Sequence, residues 1–490
     1  MRKNIIVSCL PLALALGAAA SQAATISITS RDPAGVGFND PTVVAPVGGN
    51  PGTTLGEQRM NVYKYVAHIW EQNLDSSVTI TVNAGWQALT CTSTTAVLGS
   101  ASPWNIWYDI PNGKPGTWYP QALANKLAGF NLAADQADDG SGYGNVDIKT
   151  QFNVNLGNTG CLDGTPFYLG LDGNAGSKVN FVETLLHELG HGLGFTVLTV
   201  DSGTGRRLSG DGVYVTNGGL PSIWEGFMYD STAAKTWLNM TSAERKASAI
   251  NPLHLGWKSD AMTAAAAQVL GPVPSMKVTT PAPTGSGFYD YNTASFGATV
   301  VNGQAFGALA TVPADAVNGA GCLPFDAATT TAVHGKVAII DRGVCGFAVK
   351  AKNAQNAGAF GVVIANNAAG AAPGLGGTDA TIVIPTVSVS QADGVTLKQV
   401  VLDAPKYGTR VKVGTTTSTF TLDTSRRAGA ENGRPLLYTP AVLASGSSVS
   451  HFDVSAFPNL LMEPNINADL TTNLLPPFDL TKSLLIDLGW

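Results

Sequence analysis

The sequence FVETLLHELGHGLGF occupies residues 181–195. His187 and His191 lie four residues apart, so on a helix their side chains share one face and stand one turn apart. Both imidazoles can therefore reach a single metal ion. The leucines recur at helical spacing, which predicts an α-helix with an apolar face; they are Leu185, Leu186, Leu189 and Leu193.

Glu188 stands beside the two histidines and completes the pattern His-Glu-x-x-His. This pattern supplies two zinc ligands and a general base from one turn, because the carboxylate can contact a water on the metal rather than the metal itself. With 6 histidines in 490 residues, it arises by chance in roughly one such chain per thousand. The competing interpretation is a helix with two structural histidines, or a peptidase that has lost its activity.

A third protein ligand is needed for catalytic zinc, with one position left open for water. The run HELGHGLGF resembles the metzincin pattern HExxHxxGxxH, with Gly194 at the glycine where the chain turns sharply. The resemblance would place the third histidine at residue 197, but that residue is Val197. The third ligand must therefore come from a more distant part of the chain.

His451 is the preferred third ligand. The runs SHFD and NLLMEP, within residues 450–464, resemble the leishmanolysin-like arrangement, in which an insertion precedes the third histidine and a methionine turn follows it. The resemblance implies that Met462, eleven residues after His451, packs beneath the ligand imidazoles without coordinating the metal. Three other candidates for the third ligand stay open, namely His254, Glu225 and Glu244.

A block of different character begins near residue 276. Strands and helices alternate there as in a parallel sheet; the predicted strands are 337–340, 361–365 and 384–389, and the predicted helices are 347–357 and 391–402. The runs VAIIDRGVCGFAVKAKNAQNAGAFGVVIANN and IPTVSVS resemble a protease-associated (PA) domain. The resemblance implies a binding or lid module attached to a peptidase.

The predicted fold class is α+β: a metzincin-like zinc peptidase domain, with a mixed sheet and an active-site helix, interrupted by an α/β PA domain. The predicted segments are a signal peptide at 1–23, the first part of the peptidase domain at 24–275, the PA insertion at 276–418 and the last part of the peptidase domain at 419–490. A linker rich in Pro, Gly and Thr is predicted over 271–287. The apolar residues 484–490 are expected to pack back onto the first block.

The N-terminus has the pattern of a secretory signal peptide. Arg2 and Lys3 precede an apolar stretch that is too short to span a bilayer, and Ser21-Gln22-Ala23 fits a small-x-small cleavage site. We therefore expect a secreted protein, in the medium or the periplasm, with no membrane span after cleavage. Four cysteines then remain in an oxidising compartment. Proximity in sequence favours the pairs Cys91–Cys161 and Cys322–Cys345 among the three possible pairings.

The composition limits the range of partners. The length of 490 residues suggests two or three domains. Charged residues make up only 13% of the chain and the net charge is −6, so the basic excess typical of nucleic-acid binding is absent. We expect protein or peptide substrates and no nucleic-acid partner; the sequence specifies no oligomeric state.

Several weaker features have two interpretations each. The acidic loops 138–147 and 171–176 have oxygen ligands suited to Ca²⁺, but they lack the EF-hand order, and plain turns are the favoured interpretation. Aromatic side chains between residues 104 and 119 fit either a substrate cleft or the core. Asp453 fits either a hydrogen-bond acceptor for a ligand imidazole or the cap of a turn.

These patterns together predict a secreted zinc metalloendopeptidase in which Glu188 is the general base. An endopeptidase is favoured because no residue is evident that would capture a chain terminus. The alternative is a secreted binding or adhesion protein with a structural or degenerate metal site. Glu188 argues against that alternative, since structural zinc gains nothing from a free carboxylate. A hydrolase acting on another bond is disfavoured by the PA resemblance.

Overall fold

The computed structural model describes residues 22–136, 144–314, 319–407, 415–467 and 469–490. The chain divides into two compact units: unit 1 combines residues 1–269 with 434–490, and unit 2 comprises residues 270–433. Of the predicted signal peptide, residues 1–21 lie outside the described residues. Within the described ranges, no helix has the length and apolar character needed to cross a membrane.

The first segment of unit 1 mixes helices with many short strands. Its described helices are α1 (Leu55–Glu71), α2 (Gln121–Ala128), α3 (Phe181–Leu193), α4 (Ser242–Ser248) and α5 (Asp260–Val269). Its described strands are β1 (Ile26–Ser30), β2 (Ile80–Gln87), β3 (Gly99–Pro103), β4 (Ile106–Tyr108), β5 (Trp118–Pro120), β6 (Ile148–Asn153), β7 (Phe167–Tyr168), β8 (Val179–Asn180), β9 (Val200–Asp201), β10 (Arg206–Leu208), β11 (Tyr214–Val215), β12 (Met228–Asp230), β13 (Lys235–Thr236) and β14 (Leu255–Trp257).

A mixed four-stranded sheet forms the frame of unit 1. Its order is β1-β2-β6-β3, in which β1, β2 and β6 run parallel and β3 pairs antiparallel with β6. Strand β3 therefore lies at the edge of this sheet. Helices and a mixed sheet confirm the predicted α and β content.

An aromatic cluster anchors the beginning of α3 to this sheet. Phe181, the first residue of α3, has its ring centroid 4.9 Å from that of Phe152 on β6 and 5.1 Å from that of Trp86 on β2. Tyr63 from α1 adds an edge-on contact to Phe152, with centroids 6.1 Å apart. Phe181, Phe152 and Tyr63 are fully buried, so the position of α3 is fixed by core packing.

Unit 2 is built around one large sheet. Its described helices are α6 (Ala327–Val333), α7 (Phe347–Asn356) and α8 (Gln391–Asp403), and its described strands are β15 (Pro272–Thr279), β16 (Gly287–Tyr289), β17 (Asn292–Thr293), β18 (Ala305–Thr311), β19 (Val337–Asp341), β20 (Gly361–Ala365), β21 (Thr386–Val389), β22 (Thr417–Arg427) and β23 (Ala430–Glu431). The sheet order is β16-β15-β22-β18-β19-β20-β21-β17. Strands β18 to β21 are parallel, as the strand–helix alternation predicted.

Two sequence predictions about the ends of this unit were wrong. The linker predicted over 271–287 instead contains β15, which pairs with β16 on one side and with β22 on the other. The boundary predicted between 418 and 419 falls inside β22, whose partners β15 and β18 both belong to unit 2. Strand pairing across the sheet therefore sets the limits of the unit. Local composition does not reveal this pairing.

The last segment returns to unit 1 with β24 (Arg434–Pro435) and α9 (Thr481–Leu488). Leu484, Leu485 and Leu488 of α9 are buried. The indole Nε1–H of Trp490 donates to the carbonyl of Leu193, the last residue of α3, at 2.9 Å. The apolar terminus thus packs on the first segment of unit 1.

The described residues form two disulfides, one in each unit. Cys91–Cys161 joins the loop before β3 to the segment after β6 and closes 70 residues of unit 1. Cys322–Cys345 spans 23 residues of unit 2.

Candidate metal centre

Helix α3 is defined sharply at both ends. At its start, the Asn180 side chain accepts a hydrogen bond from the amide of Val182 at 3.1 Å, which satisfies one of the free amides of the first turn. At its end, Gly194 has a φ of 119°, a left-handed conformation that favours glycine. A Cβ at Gly194 would also lie 2.8 Å from Cγ of Pro120. The chain therefore leaves the helix directly after the second histidine.

Three buried imidazoles meet above α3. Nε2 of His191 lies 3.1 Å from Nε2 of His187 and 3.1 Å from Nε2 of His451. Among the described residues, these three form the only group of three or more His, Cys, Asp or Glu side chains arranged to hold one metal ion. The structure therefore brings His451 to the helix from 260 positions further along the chain.

The other ring nitrogen of each histidine fixes its protonation. Nδ1 lies 2.7 Å from the carbonyl oxygen of Leu461 for His187, 2.7 Å from that of Phe195 for His191, and 2.9 Å from that of Ser447 for His451. A carbonyl oxygen only accepts, so each Nδ1 carries the proton and each Nε2 presents a lone pair to the other two. Three lone pairs this close repel one another unless a cation lies between them.

Burial keeps the imidazoles neutral. It lowers the pKa of His187 to about 4 and of His451 to about 3, and it lowers the pKa of His191 well below its usual value. Neutral imidazole is the form that binds zinc. Tetrahedral Zn²⁺ with Zn–N bonds near 2.0–2.1 Å separates its ligand nitrogens by about 3.3 Å, close to the spacing found. The donor set and its fixed orientation therefore fit zinc.

Glu188 lies beside the three imidazoles without joining them. Its Oε2 accepts a hydrogen bond from the amide of Ala101 on the edge strand β3, at 2.9 Å. Burial raises the pKa of this carboxyl group to about 7, which suits a group that takes and returns a proton near neutral pH. Glu188 and all three histidines line a cleft of about 630 Å³ that also borders β3.

Met462 is fully buried and packs against α3 at Gly190. A Cβ built on Gly190 of α3 would fall 2.7 Å from the sulfur of Met462, so the glycine permits this close approach. The carbonyl of Met462 accepts from the amide of Phe452 at 2.9 Å, next to His451. The turn that carries Met462 therefore contacts both the helix and the segment of the third histidine.

Residues that the sequence did not single out hold the third histidine in place. The Ser450 hydroxyl accepts a hydrogen bond from the amide of Val197 at 3.1 Å. Residue 197 is the position at which a short-spaced metzincin has its third histidine. Here the backbone of Val197 instead binds Ser450, the residue before His451. A carboxylate oxygen of Asp479 accepts from the amide of Leu461 at 2.8 Å, and the Leu461 carbonyl orients His187. No local pattern marks Asp479, because its partner lies eighteen residues earlier.

The other candidate ligands have structural roles. Glu225 pairs with Arg207 at 2.7 Å, and Glu244 forms a capping box with Thr241 at the start of α4. Nδ1 of His254 lies 3.0 Å from the hydroxyl of Ser231. None of the three belongs to the group of metal-competent side chains among the described residues.

Asp453 caps a turn. Its Oδ1 accepts from the amide and the hydroxyl of Ser455, at 2.9 and 2.6 Å. Of its two interpretations in the sequence, the structure therefore places it as a turn cap beside the third histidine.

Two weaker predictions have clear outcomes in the described residues. The aromatic side chains between 104 and 119 do not border the cleft that holds the histidines. Trp118 and Tyr119 are buried, and Nζ of Lys149 lies 4.1 Å from the ring centroid of Trp104. In loop 171–176, Asp172 accepts from the Tyr168 hydroxyl at 2.7 Å and from Asn174, as in an ordinary turn. Residues 138–143 of the other predicted calcium loop lie outside the described residues.

Comparison with known families identifies one part of the chain. Residues 305–397, within unit 2, match the PA domain family. The chain therefore contains a PA domain, which confirms the prediction from the sequence.

The curated relatives share short stretches with this chain. Leucine aminopeptidase 2 of Arthroderma otae is 44% identical over 68 residues, and that of Trichophyton equinum is 45% identical over 69 residues; each match covers 14% of both chains. The minor extracellular protease Vpr of Bacillus subtilis is 35% identical over 101 residues, 20% of this chain and 10% of the relative. The chain thus spans about one seventh of these relatives, or less.

Solved structures show a similarly partial likeness. BSAP, a zinc aminopeptidase from Bacillus subtilis, has a TM-score of 0.21 and 22% identity, covering 33% of this chain and 37% of its own. An aminopeptidase from Aneurinibacillus sp. strain AM-1 has a TM-score of 0.20 and 17% identity, covering 41% of each chain. Scores this low carry no argument about the fold of unit 1.

Proposed function

We propose that the protein is a secreted zinc-dependent metalloendopeptidase of the metzincin type. One observation carries the proposal: three buried Nε2 atoms converge, each oriented by a carbonyl on its other nitrogen, with the Glu188 carboxylate alongside. Three histidines and an open fourth position are the ligand set of catalytic rather than structural zinc.

The proposed roles follow from the geometry. His187, His191 and His451 hold the metal, and the carbonyls bonded to their Nδ1 atoms fix the ring orientations. When bound, Zn²⁺ supplies Lewis acidity, which lowers the pKa of a water and stabilises negative charge on a carbonyl oxygen. Glu188 takes the proton of the attacking water and gives it to the leaving amine. The hydrogen bond that Glu188 accepts from the Ala101 amide holds the carboxylate in the cleft during both proton transfers.

A peptide substrate is supported by the sheet edge that borders the cleft. Strand β3 is the outermost strand of the four-stranded sheet, and Ser100 and Ala101 on it line the cleft with the histidines. An extended peptide can add to such an edge through main-chain hydrogen bonds. The scissile bond would then lie across the metal centre.

The metzincin type is supported by the order of parts along the chain. The two-histidine helix ends at Gly194, a distant segment supplies His451, and Met462 follows and packs against that helix at Gly190. The PA unit lies between these parts in sequence, and we propose for it the role of a binding or lid module.

An aminopeptidase is the second candidate, because curated relatives with short matches are leucine aminopeptidases. An aminopeptidase requires a free substrate N-terminus, whereas an endopeptidase does not. A binding or adhesion protein with a structural zinc is the third candidate. The raised pKa of Glu188, about 7, argues against it, because a structural site does not need a carboxylate that exchanges protons near neutral pH.

The test uses the mature, zinc-loaded chain and peptides with acetylated N-termini and amidated C-termini. We expect internal cleavage, loss of activity with a chelator, and recovery on adding Zn²⁺. Cleavage restricted to free N-termini would replace the endopeptidase with an aminopeptidase. Zinc bound at one ion per chain without any hydrolysis would favour the binding protein. The N-terminus of the secreted protein, read by mass spectrometry, tests the signal peptide.

A further inference from the structure

A second cavity lies next to the metal-centre cleft and has a different chemistry. It measures about 720 Å³, within the range of small-ligand sites, about 300–1,000 Å³. The two cavities share four lining residues, Ala96, Leu98, Asn465 and Ile466. A substrate in the cleft can therefore extend a side chain into the second cavity.

Glu183 is the acidic residue of this cavity. It lies in the first turn of α3, four residues before His187, so it stands about 6 Å along the helix axis from that histidine and on the same face. Consecutive residues of an extended peptide are about 3.3–3.6 Å apart. The carboxylate is thus one or two substrate residues away from the bond held at the metal centre.

The Glu183 carboxylate is half-buried and lacks a cation. Among the described residues, no Lys, Arg or His nitrogen lies within 4.0 Å of it. Burial raises the pKa of Glu183 to about 7, and the Asn180 side chain only partly opposes this. A half-buried carboxylate without a counter-charge is destabilising when ionised, and a cation placed beside it removes most of that cost.

The rest of the lining suits a long, polar-tipped side chain. Asn465 and Asn467 add polar amide side chains to the lining, while Ala96 and Leu98 offer apolar surface for a methylene stem. Lys178 also borders the cavity, but it is exposed at the rim and does not pair with Glu183. Its position provides a matched test of the opposite charge.

We propose that this cavity is a substrate subsite that selects a lysine or arginine side chain next to the scissile bond, with Glu183 as the specificity-determining residue. The inference rests on the proposed peptidase function and deepens it. Charge-assisted hydrogen bonds in such a site correspond to roughly 10- to 100-fold in affinity.

The first experiment measures kcat/KM on blocked peptides that differ only in Lys, norleucine or Glu at the positions flanking the cleaved bond. Norleucine has the stem of lysine without its charge. The zinc-loaded wild type should prefer Lys over norleucine by at least about tenfold at one position. The ratio should fall to near one in Glu183→Gln and persist in Lys178→Gln. Zinc content and thermal melting check that Glu183→Gln is folded.

Two results would overturn the inference: a Lys preference that survives in Glu183→Gln, or a preference for Glu peptides that disappears in Lys178→Gln. A second measurement does not need turnover. Calorimetry on zinc-loaded Glu188→Gln should show the Lys peptide binding about tenfold more tightly than the norleucine peptide, and the added Glu183→Gln change should abolish that difference. If no peptide is cleaved, the proposed peptidase function is wrong. If the Lys and norleucine peptides bind equally well, only the proposed subsite is wrong.

Discussion

Unit 2 assembles its parallel strands from segments that follow one another along the chain, whereas unit 1 assembles its metal centre from segments 260 residues apart. Strands β19 and β20 of unit 2 are separated by one helix, and every residue of the two strands except Asp341 is buried. Their side chains need only apolar neighbours. The histidines of unit 1 need a precise partner for each ring nitrogen.

The two units are therefore stabilised in different ways. The core of unit 2 between its sheet and helices is apolar, with Ile340, Ala351 and Ile364 fully buried. Such burial works without any ligand. Unit 1 instead buries three imidazoles with their lone pairs facing, an arrangement that a bound cation relieves.

Glu188→Gln should have the largest effect, because it removes the proposed general base without removing a proposed metal ligand. We expect kcat to fall by about 10²- to 10⁴-fold, while zinc remains bound at one ion per chain. The amide of glutamine can no longer take the proton of water. Turnover on a blocked peptide and metal content are measured together, and near-normal turnover would disprove the mechanism.

His451→Ala should weaken zinc binding by about 100-fold or more, since it removes one of three protein ligands. The matched control is His254→Ala, because His254 contacts Ser231 and lies outside the histidine group. Its zinc affinity should stay within about twofold of wild type. Competition with a chromogenic chelator gives both affinities, and the reverse pattern would assign the third ligand to His254.

Removal of zinc should destabilise unit 1 and leave unit 2 unchanged. At a free zinc concentration of about 1,000 times Kd, the bound metal adds about 4 kcal/mol to the free energy of unfolding. Hydrogen exchange of the full chain should show faster exchange of the α3 amides after chelation. The amides of β19 and β20 are the internal control. Equal changes in both units would contradict the comparison.

Gly194→Ala should have a smaller effect, of about 1–3 kcal/mol on the stability of unit 1. The left-handed φ of 119° and the contact with Pro120 both oppose a Cβ at this position. Gly374→Ala in unit 2 is the control, because a Cβ there meets no atom within 4 Å and its φ is unstrained. Denaturant unfolding of the two variants gives the difference, and a harmless Gly194→Ala would show that the helix end is not set by this residue.

Local patterns in the sequence predicted most of the helices and the strands of the PA domain. The helix predicted over 181–195 is α3 (Phe181–Leu193), and the strand predicted over 361–365 is β20 (Gly361–Ala365). These elements have strong apolar periodicity or clear end signals. Helix α1 begins at Leu55, directly after the capping box that Thr54 forms with Glu57, which is also a signal readable in the sequence.

Features that depend on contacts with distant residues could not be predicted from the sequence. Strand β22 has a polar sequence, TSTFTLDTSRR, and only its pairing with β15 and β18 reveals it. The carbonyls that orient the histidines carry no side-chain signature, so Phe195 and Ser447 could not be singled out. The half-buried Glu183 was likewise missed, because in the sequence it is one more acidic residue in a first helical turn.

Because 260 residues separate the second and third histidine, the three histidines of the metal centre are also synthesised at different times. A growing chain exposes the pair on α3 first and must then add all of unit 2 before the last imidazole exists. At a synthesis rate of about 5–20 residues per second, this takes roughly 13 to 52 seconds. During that interval the chain has two histidines on one turn and no complete ligand set, so metal capture and peptide hydrolysis both wait until the third histidine has been made.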